Sequence, residues 1–151
     1  MVSQIGSLAL SIAGGLILST FFFLIYYRLT KDKLFLELSE RSIIATCLSI
    51  ILSTICLLNE LLISNFNLQY VAQYTSQETP MFYKVTSLWA GQAGSLLFWT
   101  FIMSIYTLIY IYITLNKIKV LKYHSYFIFV IIFGFFLFLS NFIANPFEPV
   151  S

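Results

Sequence analysis

The chain is short of charge. Asp, Glu, Lys and Arg make up 9% of its 151 residues, where an ordinary soluble domain is about a quarter charged. Its net charge of +2, with the lysines in short segments between apolar runs, excludes a nucleic-acid-binding stripe and so excludes nucleic acid as a partner. Histidine occurs once, at His124, beside Lys122, which reads as a solvated loop residue. Cysteine occurs twice. Cys47 and Cys56 lie in one apolar run, about 13 Å apart along a helix, too far to bridge, and with no Cys-x-x-Cys there is no zinc or thioredoxin-like reading. A metal-ligand cluster, a Gly-rich phosphate loop and a nucleophile–base pair are all missing, so no catalytic residue is visible. The first apolar run has no Lys or Arg before it. It therefore lacks the basic start of a signal peptide and reads as a retained helix.

What is present is apolar. Hydrophobic residues are 60% of the chain, more than a soluble fold of this length could hide from water. A helix needs about 20 apolar residues to cross the hydrocarbon, and four runs qualify, at 5–27, 42–63, 89–115 and 126–143. The expected fold is all-α: a single polytopic membrane domain over residues 1–151, with membrane lipid as its surroundings.

All but one of the eight Lys and Arg residues fall in the first and third loops, at Arg28, Lys31, Lys33, Arg41, Lys117, Lys119 and Lys122. The exception is Lys84, in the second. The positive-inside rule puts loops one and three in the cytoplasm or matrix, and both termini and the second loop outward. That outward loop, 64–88, is the longest, polar but hardly charged. Pro80 precedes Met81, Phe82, Tyr83 and Trp89, which read as an interfacial aromatic belt. The loop is either a functional irregular segment or a short surface helix and a turn.

The spans also present faces. Ser42, Thr46, Ser49, Ser53, Cys56 and Glu60 recur at steps of four and three, on one side of the second helix. The first span has a shorter stripe, Ser3, Ser7, Ser11 and Gly14. Small polar residues let helices approach closely and hydrogen-bond, so these two faces are expected to meet each other or a partner. Glu60, near the outer end of its span, reads as a snorkelling carboxylate. Gly91, Gly94 and Ser95 open the third span and invite a neighbour close to the backbone. Gln92, Trp99, Met103, Tyr106 and Tyr110 form an aromatic stripe that reads as plain packing. The fourth span, Phe, Ile and Leu around Gly134, reads as lipid-facing filler.

One segment is more specific. From Asn65 the chain reads Asn-Phe-Asn-Leu-Gln-Tyr-Val-Ala, and from Thr79 Thr-Pro-Met-Phe-Tyr-Lys-Val-Thr-Ser-Leu-Trp-Ala-Gly-Gln-Ala-Gly-Ser-Leu-Leu-Phe-Trp. This resembles the N-terminal region of the CcmF/NrfE-type haem lyases of cytochrome c maturation. That family shows Asp-Phe, Tyr-Val-Ala, Pro with Tyr and Lys, then Trp-Gly and Glu-Gly-Ser-Leu-Leu-Leu-Trp. The matching residues include Phe66, Tyr70, Pro80, Tyr83, Lys84, Trp89, Gly91, Gly94, Ser95 and Trp99. Asn145-Pro146-Phe147 resembles the family's sequence after its fourth span. Gln92-Ala93 stands where the family has His-Glu, and Asn65 where it has Asp.

The resemblance implies a function. The chain would match the N-terminal quarter or so of such a lyase and act at the outer face of a bacterial plasma membrane or mitochondrial inner membrane. Haem would be the cofactor handled, delivered by a haem chaperone to apocytochrome c for thioether formation. The family's histidine ligands have no counterpart here, so the remaining helices would come from another chain or lie beyond Ser151. Tyr83, Trp89 and Trp99 are the implied haem contacts, with Lys84 near a propionate.

Two other readings use the same residues. One is a non-catalytic membrane scaffold or degenerate fragment. The other is a small transporter or channel subunit with Glu60 in its path. In that last case Glu60→Gln should abolish flux in reconstituted vesicles, and unchanged flux would end the idea.

Overall fold

The computed structural model describes residues 1–114 and 119–150, and not the side chains of 119 and 120. Leu115, Lys117 and Ser151 lie outside the described residues. Within them the chain forms α1 (Val2–Thr30), α2 (Lys33–Leu62), α3 (Gln69–Tyr74), α4 (Met81–Thr86), a 3-10 turn (Ser87–Trp89), α5 (Gln92–Thr114) and α6 (Lys119–Phe142). Four of these, α1, α2, α5 and α6, are long and apolar enough to cross a membrane. Ile12, Phe22, Leu52, Ile113, Ile128 and Phe135 all point outward and exposed. Apolar surface on every side of a helical unit is what lipid solvates and water does not. The chain is an all-α polytopic membrane protein.

The first connection is shorter than the charge pattern predicts. Residues 28–41 do not form a loop; α1 and α2 are joined by Lys31 and Asp32 alone. Lys31 takes the left-handed conformation (φ 59°) and its N–H reaches the Tyr27 carbonyl at 2.8 Å, closing α1 as such residues do. Asp32 caps α2 by accepting from the Leu34 N–H at 3.0 Å. The helix then runs for 30 residues, about 45 Å, against about 30 Å of hydrocarbon. The charged stretch from Lys33 to Arg41 is therefore helix that projects past the apolar core.

The α1–α2 contact uses the stripe on α2. Ser53 donates to the Gly6 carbonyl at 3.0 Å, and Ser42 donates to the Leu16 carbonyl at 3.0 Å and lies 2.9 Å from Ser19 Oγ. The facing stripe on α1 differs from expectation. Its α2-side residues are Gly6, Leu16 and Ser19, whereas Ser11 donates to Asn141 of α6 at 3.3 Å and Gly14 lies beside the same amide. A helix carries more than one small-residue face, and the spacing alone did not choose between them.

The fourth span is not filler. Tyr126, Val130, Phe133, Leu137 and Ser140 form a buried seam at steps of four and three. At its start the Tyr126 hydroxyl and the Lys122 ammonium, the latter at 3.0 Å, both meet the Glu40 carboxylate of α2. Lipid and protein core ask for the same side chains, which is why the seam is invisible among so many Phe and Ile. The Gln92–Tyr110 stripe also departs from expectation. Trp99 and Tyr106 are exposed, so they do not pack within this chain, while Tyr110 donates to Ser125 of α6 at 2.6 Å. His124 lies in α6, not in a loop, with its ring edge-on to Tyr123.

Phe133→Ala should thus lower stability in detergent by about 1–3 kcal/mol, a packing loss without a full transfer term. Phe135→Ala, on the exposed side, should change it by less than about 0.5 kcal/mol. Thermal unfolding of the two variants decides, and equal small losses would restore the filler reading.

Candidate functional site at the loop end

One end of the bundle gathers the start of α1, residues 63–91 and residues 143–150. The 64–88 segment contains two short helices, α3 and α4, and leads into the 3-10 turn. Pro80 stands at the N-cap of α4, where its fixed φ suits a helix start. The segment is tied down by residues distant in sequence. The Gln69 N–H donates to the Glu148 carbonyl and the Val150 N–H to the Asn67 carbonyl, each at 2.9 Å. These bonds make a one-rung antiparallel bridge between Leu68 and Pro149. Asn145 Oδ1 accepts from the Phe147 N–H at 2.9 Å, shaping the turn that lays the Phe147 ring against Gly6. A Cβ on Gly6 would strike that ring, so only glycine fits beneath it.

Tyr70 is the centre of this end. It is 5% exposed. Its hydroxyl donates to the Ser87 carbonyl at 2.9 Å and accepts from the Gly91 N–H at 3.1 Å. One phenol thus joins α3 to the turn that opens α5. Burial pushes the Tyr70 phenol above its ordinary range, with the Gly91 hydrogen bond opposing the shift. It stays protonated at physiological pH and can serve as donor and acceptor together. The rings of Tyr70 and Tyr74 lie 4.8 Å apart over Gly94 and Gly91. A Cβ on Gly94 would meet the Tyr70 hydroxyl and the Leu88 carbonyl, and one on Gly91 would meet the Tyr74 ring. The close neighbour foreseen at these glycines is therefore the chain's own tyrosine pair. Ser95 completes the turn, donating to the Trp89 carbonyl at 2.9 Å.

Beside Tyr70 lies a cleft of about 330 Å³, lined by Gln69, Gln73, Gln92, Asn145 and Glu148. It joins three segments far apart in the sequence, and no local motif signals it. The candidate contacts sit elsewhere. Tyr83 and Lys84 are on α4, Tyr83 exposed and Lys84 half-buried. Trp89 is half-exposed with its ring 5.2 Å from Phe98, and Trp99 is exposed on α5. The cleft's lining includes none of these four.

Glu60 does not snorkel. It is 2% exposed and accepts from Asn65 Nδ2 at 2.6 Å, so the amide at position 65 supplies a donor that a carboxylate would lack. His124 lies 18 residues before the end of α6, about 27 Å along its axis from the loop end. Among the described residues no group of His, Cys, Asp and Glu could hold a metal ion. The loop end carries no histidine.

A four-span membrane unit with a folded, tyrosine-pinned cap at one end is the class that these features define. No protein-family model matches the chain. It is 33% identical over 89 residues to the cytochrome c-type biogenesis protein NrfE of Haemophilus influenzae, covering 58% of this chain and 14% of NrfE. It is 35% identical over 51 residues to the cytochrome c-type biogenesis protein CcmF of Escherichia coli, covering 34% of this chain and 8% of that protein. The solved structure of a cytochrome c heme lyase CcmF matches all of this chain with a TM-score of 0.89 and 25% identity, over 25% of its own length. The chain is a relative of the CcmF/NrfE-type cytochrome c haem lyases and spans a quarter or less of the relatives it matches.

Gly94→Leu should displace Tyr70 and loosen the cap, speeding trypsin cleavage at Lys84 while the spans remain inserted. Tyr70→Phe should cost about 1–3 kcal/mol through the unpaired Gly91 N–H. Cleavage at the wild-type rate in both variants would refute the pin.

Proposed function

We propose that this chain is the membrane part of a haem lyase that helps present haem to apocytochrome c during cytochrome c maturation. The observation that carries the reading is the fit of the whole chain to a quarter of the CcmF heme lyase at a TM-score of 0.89. The charge asymmetry supports an orientation with the loop end outward, in the periplasm or the intermembrane space. Among the described residues, Arg28, Lys31, Lys33 and Arg41 stand at the opposite end, and Lys84 is the basic side chain at this one.

In this reading the chain supplies position rather than chemistry. Holding haem and thiols in register converts an encounter into a near-attack geometry. Haem is the substrate. Tyr83, Trp89 and Trp99 offer ring surfaces to its flank, and Lys84 offers a cation for a propionate. Iron ligands come from the further helices of the lyase, on another chain or on a continuation of this one. A haem chaperone delivers the substrate.

A non-catalytic scaffold is the second reading, and it rests on the placement of His124 at the far end of α6. Purification from the native membrane in mild detergent separates the two, with haem absorbance and co-purifying proteins recorded together. Stoichiometric haem with a histidine-bearing membrane partner is the expected result. A haem-free chain that keeps such a partner would favour the scaffold.

A further inference from the structure

The end of the bundle away from the cap carries a recess of a different character. It has a volume of about 300 Å³ and lies between the last turn of α1 and the start of α6, lined by Tyr27, Arg28, Lys31, Tyr123 and His124. No carboxylate lines it. Arg28 and Lys31 stand three residues apart, on one face of the helix end. Neither forms an ion pair with a described residue. Asp32, next in sequence, is committed to the cap of α2, and Glu40 to Lys122. The Lys31 ammonium stands 5.9 Å from the centroid of the Tyr27 ring, a cation–π contact that holds it at the recess wall. Both cations are exposed, as contact with a ligand from the surrounding bilayer requires.

The recess continues into the apolar part of the molecule. The Tyr27 ring lies 5.5 Å from Tyr123, Tyr123 lies 6.4 Å from Phe127, and Phe127 lies 6.5 Å from Phe21. This row of rings follows the α1–α6 seam for about 10 Å from Arg28 to Phe21. Phe21 and Phe127 are each 36% exposed, so the row is open to lipid along its length. A cationic mouth above an apolar bed fits one molecule that is anionic at its head and hydrocarbon below. A guanidinium matches a phosphate with paired hydrogen bonds, and an ammonium adds a point charge. The carbonyls that end a helix disfavour an anion, but here the Lys31 N–H occupies the Tyr27 carbonyl and the Thr30 hydroxyl that of Tyr26. Arg28 is the first charged residue after the apolar run of α1, which puts the mouth at the depth of lipid headgroups.

We propose that this recess binds an anionic phospholipid, with Arg28 and Lys31 holding the headgroup phosphate and the Tyr123–Phe127–Phe21 row bedding an acyl chain. The proposal goes beyond the haem-lyase reading and does not depend on haem reaching this chain.

The test uses the full chain, delipidated in mild detergent and titrated with dioleoyl phosphatidylglycerol or dioleoyl phosphatidylcholine, with bound lipids counted by native mass spectrometry. Each cation near an anionic headgroup is worth about fivefold in affinity, so the first phosphatidylglycerol should bind about five to thirty times more tightly than phosphatidylcholine. Arg28→Gln should lower that preference about fivefold. Adding Lys31→Asn, a residue that tolerates the left-handed backbone of the turn, should remove most of what is left. Arg28→Gln leaves the turn untouched and should unfold in lipid-free detergent at the wild-type temperature. Lys33→Gln makes the same charge change at the same end but outside the recess, and should leave the preference intact. Equal binding of the two lipids would overturn the proposal, as would an undiminished preference in the double variant. An equal loss in Lys33→Gln would reduce the effect to general surface charge. Displacement of phosphatidylglycerol by an equal concentration of inorganic phosphate would make the ligand a free anion and not a lipid.

Discussion

Two helices in a bilayer gain little by hiding apolar surface from each other, because the lipid tails they leave are equally apolar. What holds α1 against α2 is close approach. Gly6 lets the backbones near each other, and Ser42 and Ser53 then reach carbonyls across the contact. The two-residue turn at Lys31 and Asp32 keeps the pair in register, and α6 packs chiefly against α1 and α5. Larger residues at Gly6 or on the α2 stripe would leave the later helices without a surface to dock on.

The loop end obeys the same economy with different groups. Here glycines face tyrosines rather than helices. Gly91 and Gly94 make room for Tyr74 and Tyr70, and a single phenol links the helical cap to the start of α5. The cap in turn fixes where Gln69 and Gln73 stand. The proposed function of this end draws on a cap whose placement that one hydroxyl helps set.

The number and order of the spans were legible because four apolar runs of sufficient length stand out against any soluble background. Helix ends were not. Lys33 to Arg41 looks like a loop by charge, yet its backbone continues as helix beyond the hydrocarbon, where charge carries no penalty. The buried seam of α6 was hidden for another reason: Phe133 and Phe135 are the same residue type, one in the core and one against lipid. Glu60 was misread because its partner, Asn65, lies in the following turn and not in a helix. The aromatic and glycine motif around 79–99 maps to the loop end. The cleft itself joins residues near 70, 92 and 148 and has no local signature.

The tail clamp sets an order of events. The Asn67 carbonyl and the Gln69 N–H meet backbone groups of residues 148–150, and Gly6 is covered by the Phe147 ring beside Cys56 of α2. Those partners emerge after α6 has entered the membrane. The first helix to be synthesised therefore has one side of Gly6 uncovered until residues 147–150 follow. The cap can close only after the fourth crossing, and a chain stalled before it would present an open loop end that a protease could recognise as unfinished.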